Sequence, residues 1–228
     1  MIVKNFYISD LDLKYFVGIN QINIDIKKIL ELNKLKSENE ALDFIFNLVE
    51  KVQIDYDSMV QFYSDSYILN QDHISTACFY VQKAFFNNVN ISKKKNIEFL
   101  LYLATKRQIK NAIEAFGIKI SDLKYGNLNY CIISNKNNLK RINEEILYNL
   151  KANEKEITLN SKNVKKFKKI KNFFEISDNQ INAVLNSYEV KEFNGNDIAN
   201  NLINLFLALY DLICEKMALL SLENIKLE

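Results

Sequence analysis

The 228-residue chain is 48% apolar and carries 27 Tyr or Phe residues, enough to bury a sizeable core and too many for a disordered polymer. Its formal net charge of +2 excludes generalised attraction to nucleic acid, so any basic surface has to be local. Proline is absent where average usage would give about 11, and 28 of the 30 basic residues are lysine, which leaves Arg107 and Arg141 as the arginines.

In chain order, residues 2–8 (IVKNFYI) predict an opening strand. The stretch 19–26 alternates apolar and polar residues and fits either a strand or the entry to a helix. Ser37 with Glu40 three residues on is a capping-box pattern, and residues 41–52 keep helical periodicity. Met59 to Tyr63 and Tyr67 to Leu69 read as strand, with Asn70 as the N-cap of the helix that follows. In that helix Ile74, Ala77, Cys78, Val81 and Phe85 recur at helical spacing as a buried face, while His73, Thr76, Tyr80 and Lys83 form a stripe of their own. Ser92 or Asn96 caps the next helix, with Lys93, Lys94 and Lys95 at its mouth, where lysines oppose the helix dipole.

That helix is predicted to break at Ala104-Thr105, before Lys106-Arg107-Gln108-Ile109. After the break Ile109, Ala112, Ile113 and Phe116 pack inward, Arg107, Lys110 and Glu114 point away, and Gly117 ends the run. A turn follows at Tyr125-Gly126-Asn127, then a strand over 128–134 and a helix over 139–150. Between 151 and 171 the lysine-rich chain reads as a polar insertion. Ser177-Asp178-Asn179 opens a helix over 180–187, residues 190–193 could return to the sheet, and Gly195-Asn196-Asp197 caps a last helix over about 198–223. This last helix is apolar nearly all round, so burial on two sides is expected, either in the core or against a partner. No internal repeat is evident. The predicted fold is α+β: a single domain spanning 1–228, with a small, mostly antiparallel sheet covered by helices.

Catalytic chemistry finds little footing. His73 is the one histidine, no metal-ligand spacing exists, and four glycines cannot make a phosphate loop. Carboxylates are scattered, and no serine sits in an elbow motif. No catalytic residue, metal or cofactor is therefore assigned. Cys78, Cys131 and Cys214 sit in apolar patterns and read as buried reduced thiols of an intracellular protein. The start, MIVKNFYISD, lacks a signal-peptide core, and the apolar run 202–214 is too short to span a bilayer, so the expected location is the cytoplasm. His73, Tyr80 and Lys83, with 93–96 and Thr105, Lys106, Arg107 and Gln108, would make a compact basic surface able to stack on unpaired bases. The bland alternative is that these lysines only solvate an exposed face.

The segments NQDHISTACFYVQKA (70–84), NIEFLLYLATKRQIKNAIEAFGI, GNLNYCIIS and EKMALLSLE, in that order, resemble the Cgi-type subunit of the KEOPS complex, the TPRKB family. Arg107, Gln108, Ile109, Ala112, Ile113, Phe116 and Gly117 carry the most specific part of the resemblance, which covers about half of the chain. It implies a non-catalytic subunit that binds the single-stranded CCA end of tRNA and a Bud-type kinase. It would support threonylcarbamoyl-adenosine modification of tRNA within a complex whose other subunits do the chemistry.

Surface chemistry leads to the expectation of RNA contact at His73, Lys83, Thr105, Lys106, Arg107 and Gln108, of which Arg107 and Gln108 fall in the most specific part of the resemblance. The last helix, with Leu209, Leu212, Met217 and Leu220, would be the kinase-facing element. The chain departs from the family in length, with expanded segments near 20–51 and 153–186. It also has Thr105 where relatives often carry glycine. The alternative function is a purely protein-binding regulatory module without RNA contact.

Overall fold

The computed structural model describes residues 1–189, 198 and 201–222. Their elements run β1 (Ile2–Ile8), β2 (Leu13–Asn23), α1 (Ile26–Leu32), α2 (Glu38–Tyr56), β3 (Ser58–Tyr63), α3 (Gln71–Phe86), α4 (Lys95–Ala104) and α5 (Ile109–Phe116). They continue with α6 (Ile120–Tyr125), β4 (Asn127–Ser134), α7 (Leu139–Leu150), β5 (Asn153–Glu154), α8 (Val164–Phe173), α9 (Asp178–Ser187) and α10 (Leu202–Leu222). The α+β class and the antiparallel sheet agree with the expectation from the sequence. The chain weaves two compact units: Met1–Asp65 with Lys94–Asn96 and Phe116–Ile157, and Ser66–Lys93 with Ile97–Ala115 and Thr158–Glu228.

The first unit is a sheet covered by helices. Strand order is β1-β2-β4-β3, all antiparallel, with β5 pairing the end of β2 through Ile22 and Asn23. Ile22, Val60, Phe62, Leu128 and Ile132 turn one sheet face toward Ile29 of α1, Ile45, Leu48 and Val52 of α2, Leu123 of α6, and Ile142 and Ile146 of α7. Each such side chain withdrawn from water contributes about 1.5–3 kcal/mol, which outweighs weak local propensity in deciding where the helices settle. Asn20 is polar within this core and is satisfied there. Its amide donates to Asn143 at 2.7 Å and to Glu154 at 3.0 Å, tying α7 and β5 to the central strand.

The ambiguous stretch 19–26 resolves into the end of β2 and, after the N-cap Asp25, the start of α1. At α2 the Ser37 hydroxyl accepts from Glu40 N–H at 3.3 Å as predicted, but the Glu40 carboxylate reaches back to Lys36 N–H, one residue beyond the usual box. Helix α6 is additional to the predicted elements. It ends on Gly126 at φ 72°, where a Cβ would come within 2.7 Å of the Ile24 carbonyl oxygen, so glycine is required.

The second unit is helical. From α10, Leu205, Phe206, Leu209, Leu212, Ile213 and Met217 are buried, and the helix packs with α3, α8 and α9. Phe167 and Ile170 of α8 and Ile181 and Leu185 of α9 are buried likewise, with the Phe167 and Phe206 ring centroids 6.3 Å apart. Ile203 and Leu207, by contrast, are exposed, so α10 is a core helix with one apolar edge in solvent.

Three expectations change. Residues 67–69 are not strand: Ile68 and Leu69 are buried, but Leu69 N–H donates to the His73 ring instead of to a neighbouring strand. The lysine-rich stretch 151–171, read as a polar insertion, holds β5 and most of α8 and buries Phe167 and Ile170. Ile109 and Ile113 do not pack inward: both are 42% exposed, while Ala112 and Phe116 carry the buried side of α5. The possible strand at 190–193, the cap at 195–197 and the last helix's expected final residue, Glu223, lie outside the described residues. Among the described residues no helix is long and apolar enough to cross a membrane.

Candidate nucleic-acid interface

The predicted break after Ala104 is a helix C-terminus of defined geometry. Thr105 takes a left-handed conformation, φ 49°, its N–H donates to Tyr102 O at 3.1 Å, and Lys106 N–H reaches back to Leu101 O at 3.2 Å. This pair of bonds is the Schellman ending, which normally places glycine where Thr105 stands. Among the described non-glycine residues at positive φ, Thr105 is the β-branched one, a conformation costing roughly 1–2 kcal/mol for an L residue.

A second ending of the same kind closes α8. Glu175 is left-handed, φ 54°, with Glu175 N–H donating to Asn172 O at 3.2 Å and Ile176 N–H to Lys171 O at 3.0 Å. The two turns meet: the Lys106 ammonium pairs with the Glu175 carboxylate at 3.1 Å. Between them lies a cavity of about 500 Å³. Its walls are Thr105, Lys106, Arg107, Gln108 and Asn111 on one side, Phe174 and Glu175 on another, and Lys216, Leu219 and Leu220 of α10 on the third.

The sequence-predicted residues divide clearly. Thr105, Lys106, Arg107 and Gln108 all line the cavity, so the structure brings them together. Lys83 is exposed near the end of α3, its ammonium 6.0 Å from the Phe79 ring, and does not line the cavity. His73 does not stand on an exposed stripe with it. The ring is 0% exposed, because the last turn of α4 and Phe174, far away in sequence, cover it. The four residues expected to face a kinase, Leu209, Leu212, Met217 and Leu220, are buried in the chain's own fold, and Leu220 forms part of the cavity wall. Asn111, Phe174, Glu175, Lys216 and Leu219 join the site without having been predicted. Phe167, Ile170 and Phe174 at helical spacing were the available signal for the second wall.

His73 holds the site from behind. Leu69 N–H donates to Nδ1 at 3.2 Å, which makes Nδ1 the acceptor and leaves Nε2–H to donate to Leu103 O at 3.2 Å. The ring meets Phe174 edge-on at 5.7 Å. One neutral tautomer therefore joins the end of α4 to Phe174 in the cavity wall. Burial lowers the ring's pKa to about 4, with the charge of Lys166 acting in the same direction and the Leu103 bond opposing it. At the other end of α4, Glu98 accepts from Ile91 N–H at 3.1 Å and Ser92 N–H at 2.7 Å. Burial pushes its carboxyl pKa up, while those bonds and the charge of Arg107 pull it down.

The lining offers charge and hydrogen-bonding groups. Three cations, Lys106, Arg107 and Lys216, outnumber Glu175, alongside the apolar Phe174, Leu219 and Leu220. Among the described residues no cluster of His, Cys, Asp or Glu could hold a metal ion. Cys78, Cys131 and Cys214 are free thiols, the first two buried and the third half-buried, with burial pushing the Cys214 thiol up. No model of a known protein family matches the chain, and no curated protein does.

Two outcomes follow from this packing. His73 is neutral when folded and ordinarily titrates near 6.5 when unfolded, so the unfolded chain takes up the proton first. The stability owed to the neutral ring is complete above about pH 6.5 and is lost as pH falls toward 4, by on the order of 3 kcal/mol in total. Urea unfolding between pH 7.5 and 4 should show this loss in the wild type and not in His73→Gln; parallel curves would refute it. Thr105→Gly should stabilise the chain by about 1 kcal/mol, a Tm gain of roughly 2–4 °C by calorimetry, and a lower Tm would refute a strained turn.

Proposed function

We propose that the chain is a non-catalytic adaptor that holds the unpaired 3′ CCA end of tRNA in the cavity beside Thr105, Lys106, Arg107 and Gln108. In this reading it serves threonylcarbamoyl-adenosine modification in the cytoplasm as a Cgi-type KEOPS subunit with a Bud-type kinase as partner. The observation that carries the RNA part is the convergence of the resembling segment on a cavity of about 500 Å³, within the size range of small-ligand sites. Arg107 offers a planar guanidinium for stacking or phosphate, Gln108 and Asn111 offer amides for base edges, and Lys106 and Lys216 offer charge.

In this reading a carboxylate, Glu175, would lie beside the RNA end. Glu175 neutralises Lys106 and would repel a phosphate, which suits a site that binds weakly alone and gains strength from neighbouring subunits. With Leu209, Leu212 and Met217 committed to the core, the kinase-facing side of α10 falls to exposed residues such as Ile203 and Leu207.

Filter binding of tRNA with and without its terminal CCA tests the reading. The tailed form should bind at least tenfold more tightly, Arg107→Glu should abolish that difference, and Glu175→Gln should tighten binding by roughly fivefold, the worth of about 1 kcal/mol. Equal affinity for the two tRNAs would overturn it.

A further inference from the structure

The ten positions 162–171 hold six lysines and no carboxylate, in a chain whose net charge is only +2. Helix formation sorts them. Phe167 and Ile170 take the buried side of α8, and Lys165, Lys168 and Lys169 emerge on the opposite side at spacings of three and four residues, with Lys162 just before the helix. Lys166 and Lys171 at the flanks are engaged, Lys166 donating to Leu159 O at 2.6 Å and Lys171 pairing with Asp178 at 2.6 Å. Lys169 sits 4.9 Å above the Tyr67 ring, a cation–π contact that holds its ammonium at the surface.

We infer that this outward face of α8 binds the phosphate backbone of RNA, as a second contact surface continuous with the cavity. The inference rests on the proposed RNA reading and extends it to a segment that the family resemblance does not cover. Continuity comes from the chain itself: α8 runs directly into Phe174 and Glu175, which wall the cavity. A ten-residue helix is about 15 Å long, roughly four base-pair steps along the axis of a duplex. The occupant is a polyanionic backbone and not a bilayer, because the outward residues Lys165, Lys168, Lys169 and Asn172 include no apolar side chain to insert. Lysines serve this task as mobile point charges without base preference.

The test uses the full chain with Lys162, Lys165, Lys168 and Lys169 all changed to Gln, which keeps helix propensity, and circular dichroism to confirm the fold. The slope of log K against log salt with tRNA should become shallower by about 3, and affinity at low salt should fall at least tenfold. The preference for tailed over tailless tRNA should persist, because the cavity is untouched. An unchanged slope and affinity would overturn the inference and leave the cavity reading standing. A shallower slope in a chain that shows no tail preference would support the α8 surface and sink the 3′-end claim. A wild-type chain that binds neither tRNA, or that loses only binding to phosphatidylserine vesicles on substitution, would overturn the inference.

Discussion

The left-handed turn at Thr105 is the constraint on which the candidate site depends. Had α4 continued past Ala104, Lys106, Arg107 and Gln108 would be spread around a helix, about 100° apart. The reversal gathers them onto one cavity wall, and the matching turn at Glu175 supplies a second. Each turn closes a helix C-terminus, that of α4 and that of α8, where backbone carbonyls concentrate partial negative charge. Cations are the natural residents of such a place. Lys106 lies at such an end and pairs with the Glu175 carboxylate across the cavity.

A strained turn survives only when its surroundings over-determine it. Here the fully buried His73 does so, clamping the Leu103 carbonyl immediately before the turn and packing on Phe174 at the second one. Its buried neutral ring trades pH tolerance for rigidity, since a proton on Nδ1 would face the Leu69 N–H donor without an acceptor. The lone histidine thus acts on the site through its backbone neighbours.

How much of this was legible in the sequence depended on whether neighbours in the chain were also neighbours in space. The break after Ala104 showed because the apolar period of α4 stops there, and Asn70 and Ser177 were readable because capping is a matter of three or four residues. The handedness of Thr105 was not readable, since a β-branched side chain gives no sign of positive φ. His73 shares a helical stripe with Thr76 and Tyr80, yet its cover comes from residues 30 and about 100 positions away, which periodicity cannot register. In α8 the density of lysine hid the Phe167, Ile170, Phe174 spacing, and with it half of the cavity. In α10 an almost uniformly apolar surface announced burial without saying which leucines would face the core and which would face solvent.

The most direct measurement is amide chemical-shift mapping of the whole chain titrated with a short single-stranded oligonucleotide ending in CCA. Perturbations should concentrate at 105–108, 111, 174–175, 216 and 219–220, the residues that line the cavity beside the two left-handed turns. Shifts confined to other surfaces, or none at millimolar oligonucleotide, would contradict a cavity built to receive an RNA end.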